Sequence, residues 1–371
     1  MSELKVDKVS PRSGTYVSLN TVGMKNIIIN GDMSIAQRAT SASGKSTGGY
    51  FTCDRWNFSL VSLGTWTLSQ DTDVPTGQGF ATSFKLDCTT ADAAPSSVDR
   101  LQIQQTIEGQ NLQYLKYGSS NAETLTASFW VKSNKTGTYT LELRDLDNLK
   151  DVSQTYTIDT ANTWEKKTVS FPANTSDAFD NDNGGSLSFE FWLGAGSSYT
   201  SGTLNTTWSS RVNANRVSPS QVNLADNTSN YINITGVQLE AGTTASDFEF
   251  LPVDVNLQRC LRYFAKFEAS TGANYGFGIT NNDNTGIFIT IPLTVEMRSA
   301  PTSITQTGTA SDYRARTTTS DTCTGVPTFN IATKNCIEIN FVNSGHGFGS
   351  GVIVRGQANS TSSYIGVNAE L

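Results

Sequence analysis

The sequence predicts an all-β protein, and three observations support this. Short apolar runs with alternating polar residues recur along the 371 residues and are separated by clusters of Gly, Asn and Asp. Charged residues make up only 16% of the chain while aromatic residues make up 10%, which favours a folded chain with a neutral polar surface over a disordered one. Only one stretch, near residue 260, changes to helical spacing.

Residues 1–25 contain two short β-type runs around Pro11 and Gly14, with too few apolar side chains to bury a core alone. Such a segment is stable when copies cover each other's apolar faces. We therefore predict an intertwined trimeric stalk or a segment that docks on a larger particle; a flexible leader is the alternative. The residues predicted for docking and trimerisation are Val6, Val9, Tyr16, Val17 and Leu19.

Residues 26–252 are predicted to form a β-sandwich of the jelly-roll type. The apolar segments 26–38 and 233–242 each include a glycine-containing turn, as expected of first and last strands whose ends pair in one fold. Alternating segments between them predict further antiparallel strands. These segments are 84–88, 100–107, 125–131, 137–144, 153–158, 164–171 and 187–193.

Residues 253–267 are predicted to form a linking helix, because Leu257, Leu261 and Phe264 recur at helical spacing. Residues 268–371 return to β-type patterns and predict a C-terminal β-domain. Its strand candidates are 286–293, 336–342, 351–355 and 364–371.

The composition argues against several kinds of partner. The formal net charge is −7 and no block of Lys and Arg occurs, so neither nucleic acid nor an anionic membrane surface is expected. No apolar run is long enough to span a bilayer and the first residues lack a signal region, which predicts synthesis and release in the cytosol. The five cysteines are predicted to be buried free thiols, since they form no Cys-x-x-Cys pair.

Catalysis has few candidate residues in this sequence. The single histidine, His346, lies in a glycine-rich loop and would have to serve as the base of any Ser-His-Asp arrangement. Glycoside hydrolysis needs only two carboxylates, and Glu142, Glu190 or Asp145 are the candidates on strands. Strand carboxylates more often face solvent, and we predict a protein that is not an enzyme.

Glycan binding requires flat aromatic faces together with polar side chains that bind hydroxyl groups. The long polar loop at 194–202 is flanked by aromatic residues that fit this role. The candidate carbohydrate-binding residues are Trp192, Tyr199, Trp208 and Trp66. Trp56, Trp130 and Trp164 lie inside apolar strands and are predicted to belong to the core.

Short motifs at both ends of the sandwich resemble a known family. These are Asn-Gly-Asp-Met-Ser at 30–34 followed by Gln37-Arg38, Asp-Arg-Trp at 54–56, and Val-Gln-Leu-Glu at 237–240 before Phe-Leu-Pro at 250–252. They resemble the jelly-roll module of bacteriophage tail fibres, which is similar to carbohydrate-binding modules of the galactose-binding-like superfold. The resemblance covers roughly residues 26–265.

The resemblance implies a homotrimeric structural protein of the virion, a tail fibre that attaches to host-cell surface glycan. Its N-terminus would dock on other virion proteins, of the tail or of the capsid. Two alternatives share this architecture. One is a capsid decoration or head-fibre protein without a receptor role, and the other is a glycan-cleaving tail spike.

The resemblance also implies a structural calcium ion. However, Ser34 and Gly236 or Thr235 stand where the family's carboxylate ligands lie, and calcium prefers a set of oxygen ligands that includes carboxylates. We therefore predict no cofactor and no bound metal.

Overall fold

The computed structural model describes residues 24–280 and 286–371 and confirms the all-β prediction. The residues predicted for virion docking lie outside the described residues. The strands of the first part are β1 Ser41–Lys45, β2 Asn57–Val61, β3 Thr65–Asp71, β4 Ser83–Thr90, β5 Arg100–Glu108, β6 Leu125–Ser133, β7 Gly137–Asp145, β8 Lys150–Ile158, β9 Glu165–Phe171, β10 Gly185–Ala195, β11 Ser209–Ser210 and β12 Tyr231–Ala241. The helices are α1 Ser197–Thr200 and α2 Val253–Leu261.

The strands of the second part follow α2. They are β13 Phe264–Glu268, β14 Asn274–Thr280, β15 Gly286–Pro292, β16 Ile304–Gln306, β17 Tyr313–Arg316, β18 Ser320–Thr322, β19 Thr328–Ala332, β20 Cys336–Val342, β21 Ile353–Ala358 and β22 Tyr364–Asn368. The helix predicted over 253–267 thus ends at Leu261, because the chain from Phe264 onward forms β13, which pairs with β22.

The jelly roll consists of two six-stranded antiparallel sheets packed face to face. The first sheet has the order β1-β3-β4-β12-β6-β9 and the second has the order β11-β8-β7-β10-β5-β2. Alternate residues of each strand point into the core, as Phe189 and Phe191 of β10 show. The ring of Trp56 packs against both, with ring centroids 6.5 and 6.3 Å apart, so the core of the sandwich is aromatic at its centre.

The opening segment, 26–38, is buried beside the closing strand as predicted, yet it forms no strand of its own. A bulge interrupts β12. Before the bulge β12 pairs with β4, and after it the opening segment lies along the same edge of β12. The amide of Ile27 donates to Leu239 O at 2.9 Å and the amide of Val237 donates to Gly31 O at 2.9 Å. A Cβ atom on Gly31 would lie 2.0 Å from Val237 O, so this close approach requires glycine.

The C-terminal domain has a seven-stranded sheet of order β18-β17-β21-β14-β15-β20-β19, and a three-stranded sheet of order β13-β22-β16. Its core is a second cluster of buried residues, separate from that of the jelly roll. Ile287, Ile289, Ile339 and Phe341 are fully buried in it. The strand alternation of β15 and β20 places these four side chains on one face of the large sheet.

Helix α2 and the residues just after it pack on the jelly roll through a small apolar cluster and one ion pair, and a second ion pair connects the jelly roll to a residue near the C-terminus. Cys260 and Tyr263 pack against Ile29 and Ile35 of the opening segment. The guanidinium of Arg262 donates two hydrogen bonds of 2.7 Å to the buried Glu108 carboxylate on β5. On the other side of the joint, Arg55 of the jelly roll is paired with Glu370 near the C-terminus.

All five cysteines are free thiols. Cys53, Cys88, Cys260 and Cys323 are buried, whereas Cys336 is half-buried. Within 24–280 and 286–371, the helices are too short or too polar to cross a membrane.

Candidate functional site

The aromatic residues that the sequence predicts for glycan binding are mostly buried. Trp66 and Trp192 are 0% exposed and Tyr199 is 7% exposed, so their ring faces are not available to a ligand. Trp66 alternates with Leu68 on the core side of β3 and donates its indole N–H to Leu63 O at 2.9 Å. Trp208 is half-buried, packs edge-on against Tyr117 and donates to Pro172 O at 2.8 Å. The structure does not support a sugar-binding platform made of these four residues.

Trp192 is buried even though it points away from the core of the sandwich. Strand alternation puts it on the outer face of the second sheet, where the loop over 196–222 covers it. Its ring packs against Tyr199 at 5.3 Å between centroids, and the guanidinium of Arg216 lies 4.9 Å from the ring centroid. Its indole N–H donates to the Glu142 carboxylate at 2.7 Å, so this tryptophan is part of a closed polar cluster.

Two buried carboxylates lie side by side in that cluster. Glu142 and Glu190 are direct partners across β7 and β10, and both are 0% exposed. Arg216 bridges them, with bonds of 2.8 and 2.9 Å to Glu142 and 3.1 Å to Glu190. Burial raises the pKa of Glu142 to about 7, against the lowering effect of Arg216. Although burial acts the same way on Glu190, the charges of Arg144 and Arg216 hold its pKa below the ordinary value.

These carboxylates are therefore sealed beneath Arg216 and Trp192, where no substrate reaches them in this conformation. Asp145, the third strand carboxylate, is also 0% exposed and accepts two bonds from Asn148 at 2.9 Å. The cluster ties the loop to the second sheet. Its geometry is that of a structural ion-pair network.

Trp130 lies on the outer face of the first sheet and is half-buried, so the prediction that it belongs to the core is wrong. Phe129 and Val131 face the core, and the intervening residue points outward. In register, Trp130 lies between Thr235 of β12 and the exposed Lys166 of β9. One face of its indole is therefore bordered by polar side chains.

Asp73 holds a second tryptophan on the same face. Its carboxylate accepts the indole N–H of Trp164 at 2.9 Å and the ammonium of Lys132 at 2.6 Å. Although burial acts to raise the pKa of Asp73, the hydrogen bonds from Lys132 and Trp164 hold it below the ordinary value. Asp73 is therefore ionised at neutral pH, and it fixes the half-buried Trp164 beside Lys132.

Tyr231 completes this group of rings. It is half-buried at the start of β12, its hydroxyl donates to Asn162 Oδ1 at 2.8 Å, and the ammonium of Lys85 lies 5.5 Å from its ring centroid. Between Tyr231 and Thr235, the side chain of Asn233 is fully buried and its carbonyl oxygen has no donor in the described part of the chain. We call this surface the aromatic face; it comprises Trp130, Trp164, Tyr231, Lys85, Lys132, Asp73 and Asn162.

The aromatic face combines the side chains that sugar binding requires. Partly exposed indole and phenol rings offer apolar surfaces to the C–H faces of a pyranose ring. Ammonium, carboxylate and amide groups beside them can exchange hydrogen bonds with hydroxyl groups. Sequence reasoning missed this surface, although the period-2 alternation around Trp130 carried the signal.

Near Ser34, one of the positions implied for a calcium ligand, the oxygen atoms are hydrogen-bonded to an amide. The side-chain nitrogen of Asn256 on α2 lies 3.1 Å from Asp32 Oδ1, 3.0 Å from Ser34 Oγ and 3.5 Å from Asn30 Oδ1. These oxygens are the type of ligand that calcium prefers, but here they accept hydrogen bonds from a neutral donor. The residues present do not fit a calcium ion, and no group of three or more His, Cys, Asp or Glu side chains in 24–280 and 286–371 is arranged to hold a metal.

Comparisons with known proteins gave similarities among solved structures only. No family model matches the chain, and no curated protein matches it. A domain of the bacteriophage CBA120 tailspike protein 4, described as enzymatically active, is 17% identical over 58% of this chain with a TM-score of 0.30. The chain spans 21% of the length of that tailspike chain.

Two further similar structures are described in connection with sugar binding. A sugar-binding protein from Bacteroides thetaiotaomicron is 11% identical, covers 58% of this chain and 99% of its own, and has a TM-score of 0.33. The module TmCBM61 in complex with β-1,4-galactotriose is 9% identical, covers 59% of this chain and 99% of its own, and has a TM-score of 0.30. Likenesses of this size assign no ligand and no activity to this chain, so its function has to be inferred from its own residues.

Proposed function

We propose that this protein is a glycan-binding virion fibre protein, and that the aromatic face of its jelly roll binds host-cell surface glycan. The observation that carries the proposal is the grouping of Trp130, Trp164 and Tyr231 on one outer sheet face with charged and amide side chains between them. Isolated surface aromatic residues need no explanation, whereas three beside fixed hydrogen-bonding groups form a recognition surface.

The proposal is for binding and not for catalysis. The carboxylates at the aromatic face are engaged by cations: Asp73 is bonded to Lys132 and Trp164, and Asp71 and Asp87 lie 3.6 and 3.1 Å from the ammonium of Lys85. Glycoside hydrolysis by the usual route needs two carboxyl groups on either side of the scissile bond. The strand carboxylates that the sequence offered, Glu142 and Glu190, lie on the opposite sheet and are buried.

We further propose that the chain assembles with copies of itself through its C-terminal domain. The outer face of the seven-stranded sheet carries a band of exposed apolar side chains from neighbouring strands. They are Phe277 (61% exposed), Ile279 (48%) and Ile353 (75%), with the half-buried Phe288 paired in register to Ile279. Exposed apolar groups that adjoin one another in this way mark an interaction surface.

The charges beside this band favour a second copy as the partner. On one side, Arg316 and Arg355 have no carboxylate oxygen within 4.0 Å among the described residues. On the other side, no ammonium or guanidinium group of the described residues lies within 4.0 Å of the Glu338 carboxylate on β20. When the same face of a second copy packs against this one with an offset along the sheet, the arginines of one chain lie opposite the glutamate of the other. Linked copies would also multiply a weak affinity for glycan.

Binding of the full chain to a glycan array, compared between the wild type and two variants, tests the first proposal. Trp130→Ala removes a ring of the aromatic face and is expected to weaken binding about tenfold, because a stacked ring contributes about 1 kcal/mol or more. Trp208→Ala is the matched control, since Trp208 packs against Tyr117 and is not part of the aromatic face, and its binding should equal that of the wild type. No binding to any host-derived glycan would refute the proposal.

Light scattering of the full chain at micromolar concentration tests self-assembly. We expect the mass of a trimer for the wild type and a lower mass for Ile353→Asp, while Val212→Asp, at a 50% exposed site on the jelly roll, serves as the control. Arg355→Glu should also lower the mass, and adding Glu338→Arg should restore it. A monomeric wild type, or a charge-reversed pair that fails to recover, would contradict the interface.

Placement on the particle is a separate part of the proposal. We propose a tail fibre, and the same architecture would serve a head fibre or capsid decoration protein without a receptor role. Electron microscopy of particles labelled on this chain distinguishes the two, because the label would appear on the tail in the first case and on the capsid in the second.

A further inference from the structure

A cleft of about 810 Å³ lies between the jelly roll and the C-terminal domain, away from the aromatic face. One wall is formed by β5 and the turn that follows it, including Tyr114. Arg259 of α2 and the following Arg262 and Tyr263 form the second wall, and Glu296 and Lys334 of the C-terminal domain border the opening. This volume is within the range of pockets that bind small molecules and saccharides. No residue of the aromatic face lines it.

Arg259 is a half-buried cation in this cleft with no carboxylate partner. Its guanidinium donates to Asn26 O at 3.3 Å, and in the described ranges no carboxylate oxygen lies within 4.0 Å of it. Burial lowers the pKa of Arg259, and the charge of Glu249 offsets this only in part. The neighbouring Arg262 differs, because Glu108 neutralises it with two bonds. An anionic group in the cleft would supply the counter-charge that Arg259 lacks.

The other side chains in the cleft suit a sugar ring. Tyr114 is 39% exposed, and its ring can lie against the C–H face of a pyranose. Gln110 and Asn111, on the turn between β5 and Tyr114, are exposed amides that can bind hydroxyl groups. At the opening, Lys334 lies 3.7 Å from Glu296, a separation that gives only a weak ion pair and leaves the ammonium free to move toward a ligand.

We propose that this cleft is a second carbohydrate site that binds an acidic saccharide. Arg259 pairs with the carboxylate of a uronic-acid unit, and Tyr114 stacks against the sugar ring. A planar guanidinium matches a carboxylate with two parallel hydrogen bonds, which makes the charged unit the specificity determinant. The site does not depend on the aromatic face, and it gives the chain two separate sites for two kinds of sugar.

Calorimetric titration of the full chain with a trisaccharide of galacturonic acid tests the proposal. The control ligand is the same trisaccharide with its carboxyl groups reduced to alcohols. We expect the acidic form to bind at least about tenfold more tightly. Arg259→Met and Tyr114→Ala should each weaken binding of the acidic form about tenfold or more, while Arg211→Met, at a half-buried arginine outside the cleft, should leave it unchanged.

Each contrary outcome overturns a defined part of the proposal. Equal affinity for the reduced trisaccharide, or unchanged binding by an Arg259→Met variant that unfolds in urea like the wild type, would exclude the carboxylate contact. Equally strong binding of inorganic phosphate alone would show a simple anion site. Lost binding in Trp130→Ala would move the ligand to the aromatic face. No binding of the acidic trisaccharide would refute this cleft and leave the aromatic face untouched.

Discussion

Replacing Arg262 by methionine is expected to destabilise the jelly roll in a pH-dependent way. Arg262 makes both of its 2.7 Å bonds to Glu108, whose side chain is 0% exposed. After the substitution, Glu108 keeps the bonds from Tyr263 at 2.5 Å and Gln110 at 2.6 Å but loses its counter-charge. Removing one partner of a buried ion pair typically costs about 3–5 kcal/mol.

Protonation of Glu108 sets a ceiling on this cost. Protonating a carboxyl group with an ordinary pKa of 4.5 costs about 1.36 kcal/mol for each pH unit above that pKa. The cost is therefore about 3.4 kcal/mol at pH 7, which is 2.5 units above the pKa, and about 0.7 kcal/mol at pH 5. Although burial acts to raise the pKa of Glu108, hydrogen bonds from Arg262 and Tyr263 hold it below 4.5 in the wild type. The stabilisation from this pair is therefore present above pH 4.5 and lost as the pH falls through the lowered pKa.

We expect Arg262→Met to lose about 2–3 kcal/mol of unfolding free energy at pH 7 and about 1 kcal/mol or less at pH 5. Urea unfolding followed by tryptophan fluorescence measures this, because all six tryptophans lie in the jelly roll, at positions 56, 66, 130, 164, 192 and 208. The Glu108→Gln/Arg262→Met double variant removes the charge as well and should recover most of the loss at pH 7. A loss that is the same at both pH values would refute the reasoning.

Three further predictions concern single side chains. Gly31→Ala should cost about 2–3 kcal/mol of unfolding free energy, seen as a lower melting temperature, because its Cβ would lie 2.0 Å from Val237 O; unchanged melting would contradict the close approach. Since burial raises the pKa of Glu142 to about 7, its protonated form stabilises the fold at low pH and this contribution is lost as the pH rises from 4.5 to 7. Glu142→Gln should therefore show a smaller decline in stability from pH 5 to pH 8 than the wild type, and an equal decline would show that Glu142 does not titrate there. Maleimide should label one thiol per native chain, at the half-buried Cys336, since burial raises the pKa of the other four thiols, and labelling that persists in Cys336→Ser would show otherwise.

Strand positions were predictable from the sequence wherever one face is buried. The alternation of Leu125, Ala127 and Phe129 with Thr126 and Ser128 gives β6, and a similar pattern gives β10 and β20. The opening segment was placed correctly beside β12, but its lack of strand structure was not foreseen. The bulge in β12 and the close contact of Gly31 with Val237 decide that conformation, and both are contacts between residues distant in the sequence.

The candidate site was less predictable because burial depends on what lies above a sheet. Trp130 could have been found, since its neighbours on both sides are core residues and strand alternation then puts it outside. Trp192 has the same pattern and is nevertheless buried, because Arg216 and Tyr199 of a distant loop cover it. Nothing local to Trp192 indicates that cover. The cleft at Arg259 likewise depends on how the two domains pack.

Tryptophan oxidation by N-bromosuccinimide, mapped by mass spectrometry with and without a glycan selected from the array, tests the central claim most directly. The free protein should be oxidised at the half-buried Trp130 and Trp164, while the fully buried Trp56, Trp66 and Trp192 stay intact. Bound glycan should protect Trp130 and Trp164. If a bound glycan leaves both of them as reactive as in the free protein, the aromatic face is not the binding surface.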